Sequence, residues 1–319
     1  MSPIEPVPES SLLTEQVIAG NQRAIARLAT RIENDPDGSE AILSVLYPFS
    51  GRAHVVGVTG PPGAGKSSLL AGLAKEVSAR GKRIAIVAID PSSPKSGGAT
   101  LGDRIRMSET ALDPNVFVRS LASRDRSDGL APAAADLVLL FDAAGYDYVV
   151  VETVGSGQDQ LEVADLVHTT VLVQIPGAGD SVQLLKAGSM EIADIYVVNK
   201  SDLPGAQRVS RDIRTILGLA PGSAEDWVQP VVLTSTVDET GFGNLADAID
   251  EHFAFLNAHD ELQERQRRIA RSELKRAIAR RVELRATEIV EPLVYQLVAR
   301  ETTPDDAAQE FLAAIVLER

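Results

Sequence analysis

Gly60-Pro61-Pro62-Gly63-Ala64-Gly65-Lys66-Ser67 fits the pattern G-x-x-x-x-G-K-[ST] at every fixed position. The short apolar run His54-Val55-Val56-Gly57-Val58 precedes it, and Ser68 to Val77 follows as good helical sequence. Strand, glycine loop, helix is the order that phosphate binding requires. Glycines let the backbone curl until successive N–H groups point inward at phosphate oxygens. The helix that follows aims its positive end at the same place. Gly60, Pro61, Pro62, Gly63, Ala64, Gly65, Lys66, Ser67 and Ser68 are therefore the expected nucleotide segment. Lys66 would reach the β and γ phosphates, and the Ser67 hydroxyl would ligate Mg²⁺. The bland alternative, a glycine turn that happens to carry a lysine, does not account for the flanking strand and helix.

Working outward, the chain changes period twice. Before Arg52, residues 11–33 and 39–47 carry helical spacing, with a turn signal at 34–38. From Arg52, strand-like runs at 54–58, 83–89, 115–118, 147–151, 168–174, 193–198 and 229–233 alternate with helical stretches at 66–80, 130–144, 180–190 and 204–217. That alternation predicts an α/β fold of the P-loop NTPase kind, a mostly parallel sheet flanked by helices. Ligands of such sheets sit at the carboxyl ends of the strands. After about Asp247 the sequence is helical to its end, and Thr303-Pro304-Asp305-Asp306 reads as a helix start. The expected organisation is a helical extension at 1–50, a nucleotide-binding domain at 51–256 and a helical arm at 257–319.

Composition narrows the partners. The 319 residues carry a net charge of −14, which argues against nucleic acid. There is no cysteine, so thiolate metal sites and disulfides are out. Spacing gathers the four histidines into no ligand cluster beyond a loose pair at 252 and 259. No stretch approaches a membrane span, and the first residues lack a basic leader, so a soluble cytoplasmic protein is expected.

Further chemistry falls at strand ends. Asn199-Lys200-Ser201-Asp202 follows the run 195–198 and matches the N-K-x-D pattern that reads guanine. A buried Asp202 carboxylate would accept from guanine N1–H and the 2-amino group, and adenine offers neither donor. Asn199 would brace the loop and the Lys200 stem would cover the base. Thr234, Ser235 and Thr236 follow the last run, where a backbone N–H would meet guanine O6. Glu152 ends the run 147–151 and is followed by Gly155. An acid there holds Mg²⁺ through water, and the glycine N–H touches the γ-phosphate. Gln158 lies three residues past Gly155 and not directly after it, so it is not assigned the water-orienting role and reads as an ordinary polar switch residue. Asp90 and Asp103 flank a glycine-rich stretch; spacing alone leaves a strand-end cap and a surface acid as good a reading. The loop Pro176–Asp180, with Lys186 beyond it, reads as another flexible loop on the nucleotide side of the sheet, with an ordinary strand-to-helix turn as the bland alternative.

These motifs together resemble one family, the MeaB-type (formerly ArgK) G-protein chaperones of adenosylcobalamin-dependent acyl-CoA mutases. The resemblance rests on Gly60–Ser67, Ala88–Ser93 with Gly97-Gly98 and Leu101-Gly102-Asp103, Val151-Glu152-Thr153-Val154-Gly155-x-Gly157-Gln158, Pro176–Asp180 and Asn199–Asp202. It implies a GTPase that turns GTP into GDP and phosphate, with Lys66, Glu152 and Asp103 in the reaction. It implies an Mg²⁺ shell of Ser67, Asp90, Asp103 and Glu152, and switches at 91–107, 153–160 and 176–188 that include Gln158, Asp180 and Lys186. It implies a homodimer closed by the arm. The partner it implies is a mutase that itself carries adenosylcobalamin, methylmalonyl-CoA mutase or a relative acting on isobutyryl- or 2-hydroxyisobutyryl-CoA, with an adenosyltransferase as a further partner. Competing readings are a P-loop kinase, for which no acceptor base is evident, and a nickel-inserting GTPase, which would need Cys/His ligands. A binding module that never hydrolyses is the third.

Overall fold

The computed structural model describes residues 9–90, 110–122, 133–153, 162–177, 192–219 and 226–317. Seven strands form one sheet: β1 (His54–Thr59), β2 (Ile84–Asp90), β3 (Val116–Ala122), β4 (Tyr148–Glu152), β5 (Thr169–Gln174), β6 (Ile195–Val198) and β7 (Val231–Leu233), in the order β3-β2-β4-β1-β5-β6-β7. Every pairing is parallel. The central strands β1, β2, β4 and β5 are β-branched and apolar on both faces, because helices cover both.

One face packs on α1 (Glu9–Ile18), α2 (Gln22–Asn34), α3 (Pro36–Leu46) and α5 (Ala133–Ala143). Ile25, Leu28, Ile32, Leu46 and Phe141 fill that core beneath Val55, Val87 and Val151. At the other end of the same face α6 (Ala206–Leu217) covers Leu172, Tyr196 and Val198. The opposite face packs on α4 (Lys66–Ala79) and α7 (Phe242–Ala258), with Leu69, Leu70, Leu73, Leu245 and Ile249 against Val56, Val58, Val171 and Val197. The α4–α7 seam is tight: a Cβ on Gly72 would lie 2.4 Å from the Phe242 ring.

Two local expectations are corrected. Residues 11–33 form two helices instead of one. Gly20 takes a left-handed φ of 75°, and Asn21 caps α2 by accepting from the Arg23 and Ala24 N–H groups. The segment 34–38 is a helix start, not a turn between helices. Asp35 accepts from the Gly38 N–H and Pro36 takes the first helical position, so α3 begins three residues before Ser39.

Three of the histidines meet through the fold, which their spacing does not show. His54, His168 and His252 come together at the amino end of the sheet, brought there by β1, the entry to β5 and α7. His54 Nε2 and His252 Nδ1 both contact Thr169 Oγ1, at 2.6 and 2.8 Å. His252 Nε2 faces Asp194 at 3.4 Å. Asp194 takes a bidentate hold on Arg265, with bonds of 2.6 and 2.9 Å, and accepts from the Thr170 N–H. Burial, joined by the neighbouring His168 and His252, pushes the His54 pKa well below its usual value. Burial would raise the Asp194 pKa, but the nearby His252 and the hydrogen-bonded Arg265 outweigh it and hold the carboxyl below its usual range. Among the described residues no such group has the make-up of a metal site.

Two compact units divide the chain between Gln266 and Arg267. Helix α8 (Glu261–Val298) accounts for most of the second, followed by α9 (Pro304–Leu317). Thr303 caps α9 by accepting from the Asp306 N–H. Among the described residues no helix is long and apolar enough to cross a membrane.

Candidate functional site

The carboxyl ends of β1, β4, β5 and β6 gather the described motifs on one edge of the first unit. The loop 60–65 leaves β1 and turns back through Ala64 N–H to Pro61 O at 3.2 Å. Gly60, Gly63 and Gly65 have φ of 148°, 76° and 80°. At Gly60 the requirement is double, since a Cβ there would also lie 2.3 Å from the Val173 carbonyl oxygen of β5. Gly65 is the N-cap of α4 and offers no side-chain oxygen to its first turn, which leaves that turn's amides facing the loop. Pro62 and Ser68 lie in this same loop and first turn.

Lys66 is buried, and its ammonium donates to Gly60 O at 2.9 Å and Pro61 O at 3.3 Å, folded over the loop it follows. The Ser67 hydroxyl donates to Glu152 Oε1 at 2.9 Å, and both side chains are buried. They stand 85 residues apart in sequence, and the parallel β1–β4 pairing with its Val58↔Glu152 register brings them together. A hydroxyl and a carboxylate are hard oxygen donors, the set that Mg²⁺ takes alongside phosphates. These two residues therefore fit the ion that the fold implies. Asp90 ends β2 two strands away from the loop, paired with Ala122.

The base-reading segment is tied to the phosphate loop. Asn199 is buried; its Nδ2 donates to Ala64 O at 2.8 Å and its Oδ1 accepts from Thr234 Oγ1 at 3.1 Å. Lys200 adopts a left-handed φ of 56° and donates to Gly63 O at 2.9 Å. Asp202 is exposed, not buried as expected, and accepts from Ser235 Oγ at 2.8 Å. Ser235 in turn accepts from the Asp238 N–H, and its backbone pairs with Thr240 at 3.0 and 3.1 Å. Ser235 is thus the residue that orients Asp202, a role its position after a strand did not reveal. Thr236 lies in the turn between these two bridged residues.

Asp103, Gly155, Gln158, Asp180 and Lys186 lie outside the described residues, as do the Asp90 side chain and most of the three switch segments.

Residues 23–290 match the family described as Methylmalonyl Co-A mutase-associated GTPase MeaB. The chain belongs to this family. Two of the similar relatives carry the same activity in their names. A protein of Pyrococcus horikoshii named as a GTPase is 41% identical over 319 residues, 98% of this chain and 99% of its own. The GTPase ArgK of Escherichia coli is 36% identical over 253 residues, 77% of this chain and 76% of its own. A Mus musculus protein named Methylmalonic aciduria type A homolog, mitochondrial, is 35% identical over 65% of this chain and 51% of its own. A crystal structure of a LAO/AO transport system kinase matches with a TM-score of 0.68 at 23% identity, over 96% of this chain and 97% of its own, and bears on the fold alone. This MeaB-family chain is a GTPase, and guanine nucleotide is its substrate.

Proposed function

We propose that this GTPase works as an Mg²⁺-dependent switch for an adenosylcobalamin-dependent acyl-CoA mutase. The observation that carries the chemistry is the Ser67–Glu152 contact at 2.9 Å beside the phosphate loop. In that reading the backbone amides of 63–67 and the Lys66 ammonium hold the β and γ phosphates, with Ser67 and Glu152 on the metal. Bound Mg²⁺ would neutralise charge on the transferring phosphoryl oxygens. Asp202, oriented by Ser235, accepts from the guanine edge, while Asn199 and Lys200 fix the distance between base and phosphate sites. Asp90 and Asp103 complete the proposed metal shell, and Gly155 meets the γ-phosphate.

For the partner, the support is the family description, which names a methylmalonyl-CoA mutase, and the mouse relative named for methylmalonic aciduria. Relatives of that mutase are further candidates, and an adenosyltransferase is a second partner. The segments 91–107, 153–160 and 176–188, with Gln158, Asp180 and Lys186, are proposed to report nucleotide state to the mutase in the cytoplasm. The arm at 257–319 is proposed to close a homodimer. Leu274, Ile278, Val294, Tyr295, Val298 and Leu312 are exposed there, which suits a face that a second copy covers.

The test measures GTP turnover and cofactor loading with and without methylmalonyl-CoA mutase, in the wild type and in Lys66→Ala. A mutase-dependent rise in turnover, lost in Lys66→Ala, is expected. If no adenosylcobalamin enzyme changes turnover or is retained with either nucleotide, the mutase role fails. Undiminished hydrolysis in Lys66→Ala would instead overturn the site assignment.

A further inference from the structure

Two threonines bracket the same strand ends from the other side of the sheet. Thr59 is the last residue of β1, immediately before Gly60, and Thr153 immediately follows Glu152 at the end of β4. Thr153 Oγ1 donates to Thr59 Oγ1 at 2.9 Å, and the Thr153 N–H donates to Val58 O at 3.1 Å, which carries the β1–β4 ladder one residue past its named end. Both side chains are completely enclosed, at 0% and 1% exposure. Side chains alternate along a strand, so Thr59 lies on the Val55 face, while Val58 packs on the α4 face that carries Ser67. The backbone that joins the phosphate loop to Glu152 is thus pinned on one face by Ser67–Glu152 and on the other by Thr59–Thr153.

We propose that the Thr59–Thr153 hydroxyl pair is a positioning device for hydrolysis. It rests on the metal reading above. An Mg²⁺ shell tolerates little change in geometry, so the Ser67 oxygen on α4 and the Glu152 oxygen on β4 must be held to a narrow spacing. Ser67 follows β1 through the loop, and Glu152 ends β4. Any slip between those two strand ends moves one oxygen against the other. The loop itself has separate anchors, the Asn199–Ala64 bond and the close fit of Gly60 on Val173. Loss of the hydroxyl pair therefore falls on the metal-dependent step and spares metal-free nucleotide binding.

The experiment compares wild type, Thr153→Val, Thr153→Ser and the double variant Thr59→Val/Thr153→Val. It reads kcat, the Mg²⁺ concentration at half-maximal turnover, GDP affinity in chelator, and the melting midpoint. Thr153→Val is expected to lower kcat about tenfold and raise the Mg²⁺ requirement by a similar factor, since small misplacements near a reacting centre cost one to two orders of magnitude. GDP affinity in chelator stays as in wild type, and Thr153→Ser, which keeps the hydroxyl, restores turnover. The double variant leaves neither hydroxyl orphaned, so its melting midpoint recovers toward wild type while its turnover defect remains. If turnover recovers along with melting, the pair acts on stability alone and the proposal is overturned. Wild-type kcat and Mg²⁺ dependence in Thr153→Val also overturn it. Glu152→Gln, measured in parallel, separates the two readings: an unchanged Mg²⁺ requirement there removes the metal assignment itself.

Discussion

Asn199 is the joint between the base-reading segment and the phosphate loop, and its removal tests whether the two halves of the site are held as one. Asn199→Ala deletes the 2.8 Å bond to Ala64 O and the 3.1 Å bond from Thr234 Oγ1. Both stranded groups are buried, Thr234 completely. An unsatisfied buried polar group costs about 1–3 kcal/mol, and the Thr234 hydroxyl can rotate, so a total of about 2 kcal/mol is reasonable. That corresponds to a melting midpoint lower by about 4–8 °C. If the same energy appears in binding, nucleotide affinity falls by about thirtyfold at most. The loss should be equal for GTP and GDP, because the loop cradles phosphates that both share. Asn199→Asp discriminates further. It keeps the acceptor for Thr234 but sets a carboxylate oxygen against the Ala64 carbonyl, so it should bind more weakly than the alanine variant. Fluorescence titration with labelled GTP and GDP, beside calorimetric melting, gives both quantities. Wild-type affinity in Asn199→Asp, or an alanine variant within twofold in affinity and unchanged in melting, would refute the reasoning.

Three other outcomes are expected. Asp202→Asn should weaken GTP and favour xanthosine nucleotides, since a site built to hydrogen-bond a group can discriminate by about 10⁴ or more; a competition titration decides it, and equal ATP and GTP affinity in the wild type would contradict it. Gly60→Ala should abolish nucleotide binding and lower the melting midpoint, because its φ of 148° and the Val173 oxygen 2.3 Å from the new Cβ leave no room; retained GDP affinity by titration would count against this. His54 is held neutral in the fold, with its pKa depressed below the unfolded value of about 6.5. Its contribution to stability is fully present above about pH 6.5 and is lost as pH falls toward the folded pKa, because the unfolded chain then takes up a proton that the fold refuses. His54→Phe should flatten the acid limb of a melting-versus-pH curve, and an unaltered limb would refute the assignment.

Most of the sheet was legible because β1, β2, β4 and β5 are buried on both faces and so read as short, mostly apolar runs rich in β-branched residues. What was not legible has identifiable physical causes. The break at Gly20–Asn21 interrupts a continuous helical period, so apolar spacing hides it while cap chemistry reveals it. Asp35-Pro36 serves turns and helix starts alike, and only the Gly38 N–H on the Asp35 carboxylate decides between them. The histidine group joins residues 115 and 83 positions apart through Thr169, a partner that no ligand spacing encodes. At the site, the phosphate loop and N-K-x-D declared themselves by local pattern. The Ser235 hold on Asp202 spans 33 residues and carried only the weak signal of a serine after a strand.

The two ends of β1 carry different chemistry, and this bears on how kinetic data should be interpreted. His54 opens the strand and Thr59 closes it, about 17 Å away at the usual rise per residue. All four imidazoles of the chain are accounted for: three are buried at the amino edge, and His259 stacks on Phe255. With no cysteine either, the nucleotide edge holds no side chain whose unperturbed pKa lies in the near-neutral range. An inflection in turnover near neutral pH would therefore belong to the reacting phosphates, to a carboxyl or ammonium shifted by burial beside them, or to the far edge of the sheet. A melting curve recorded at the same pH values tells these apart, which makes the histidine group a built-in reporter on the scaffold, legible through the activity it does not perform.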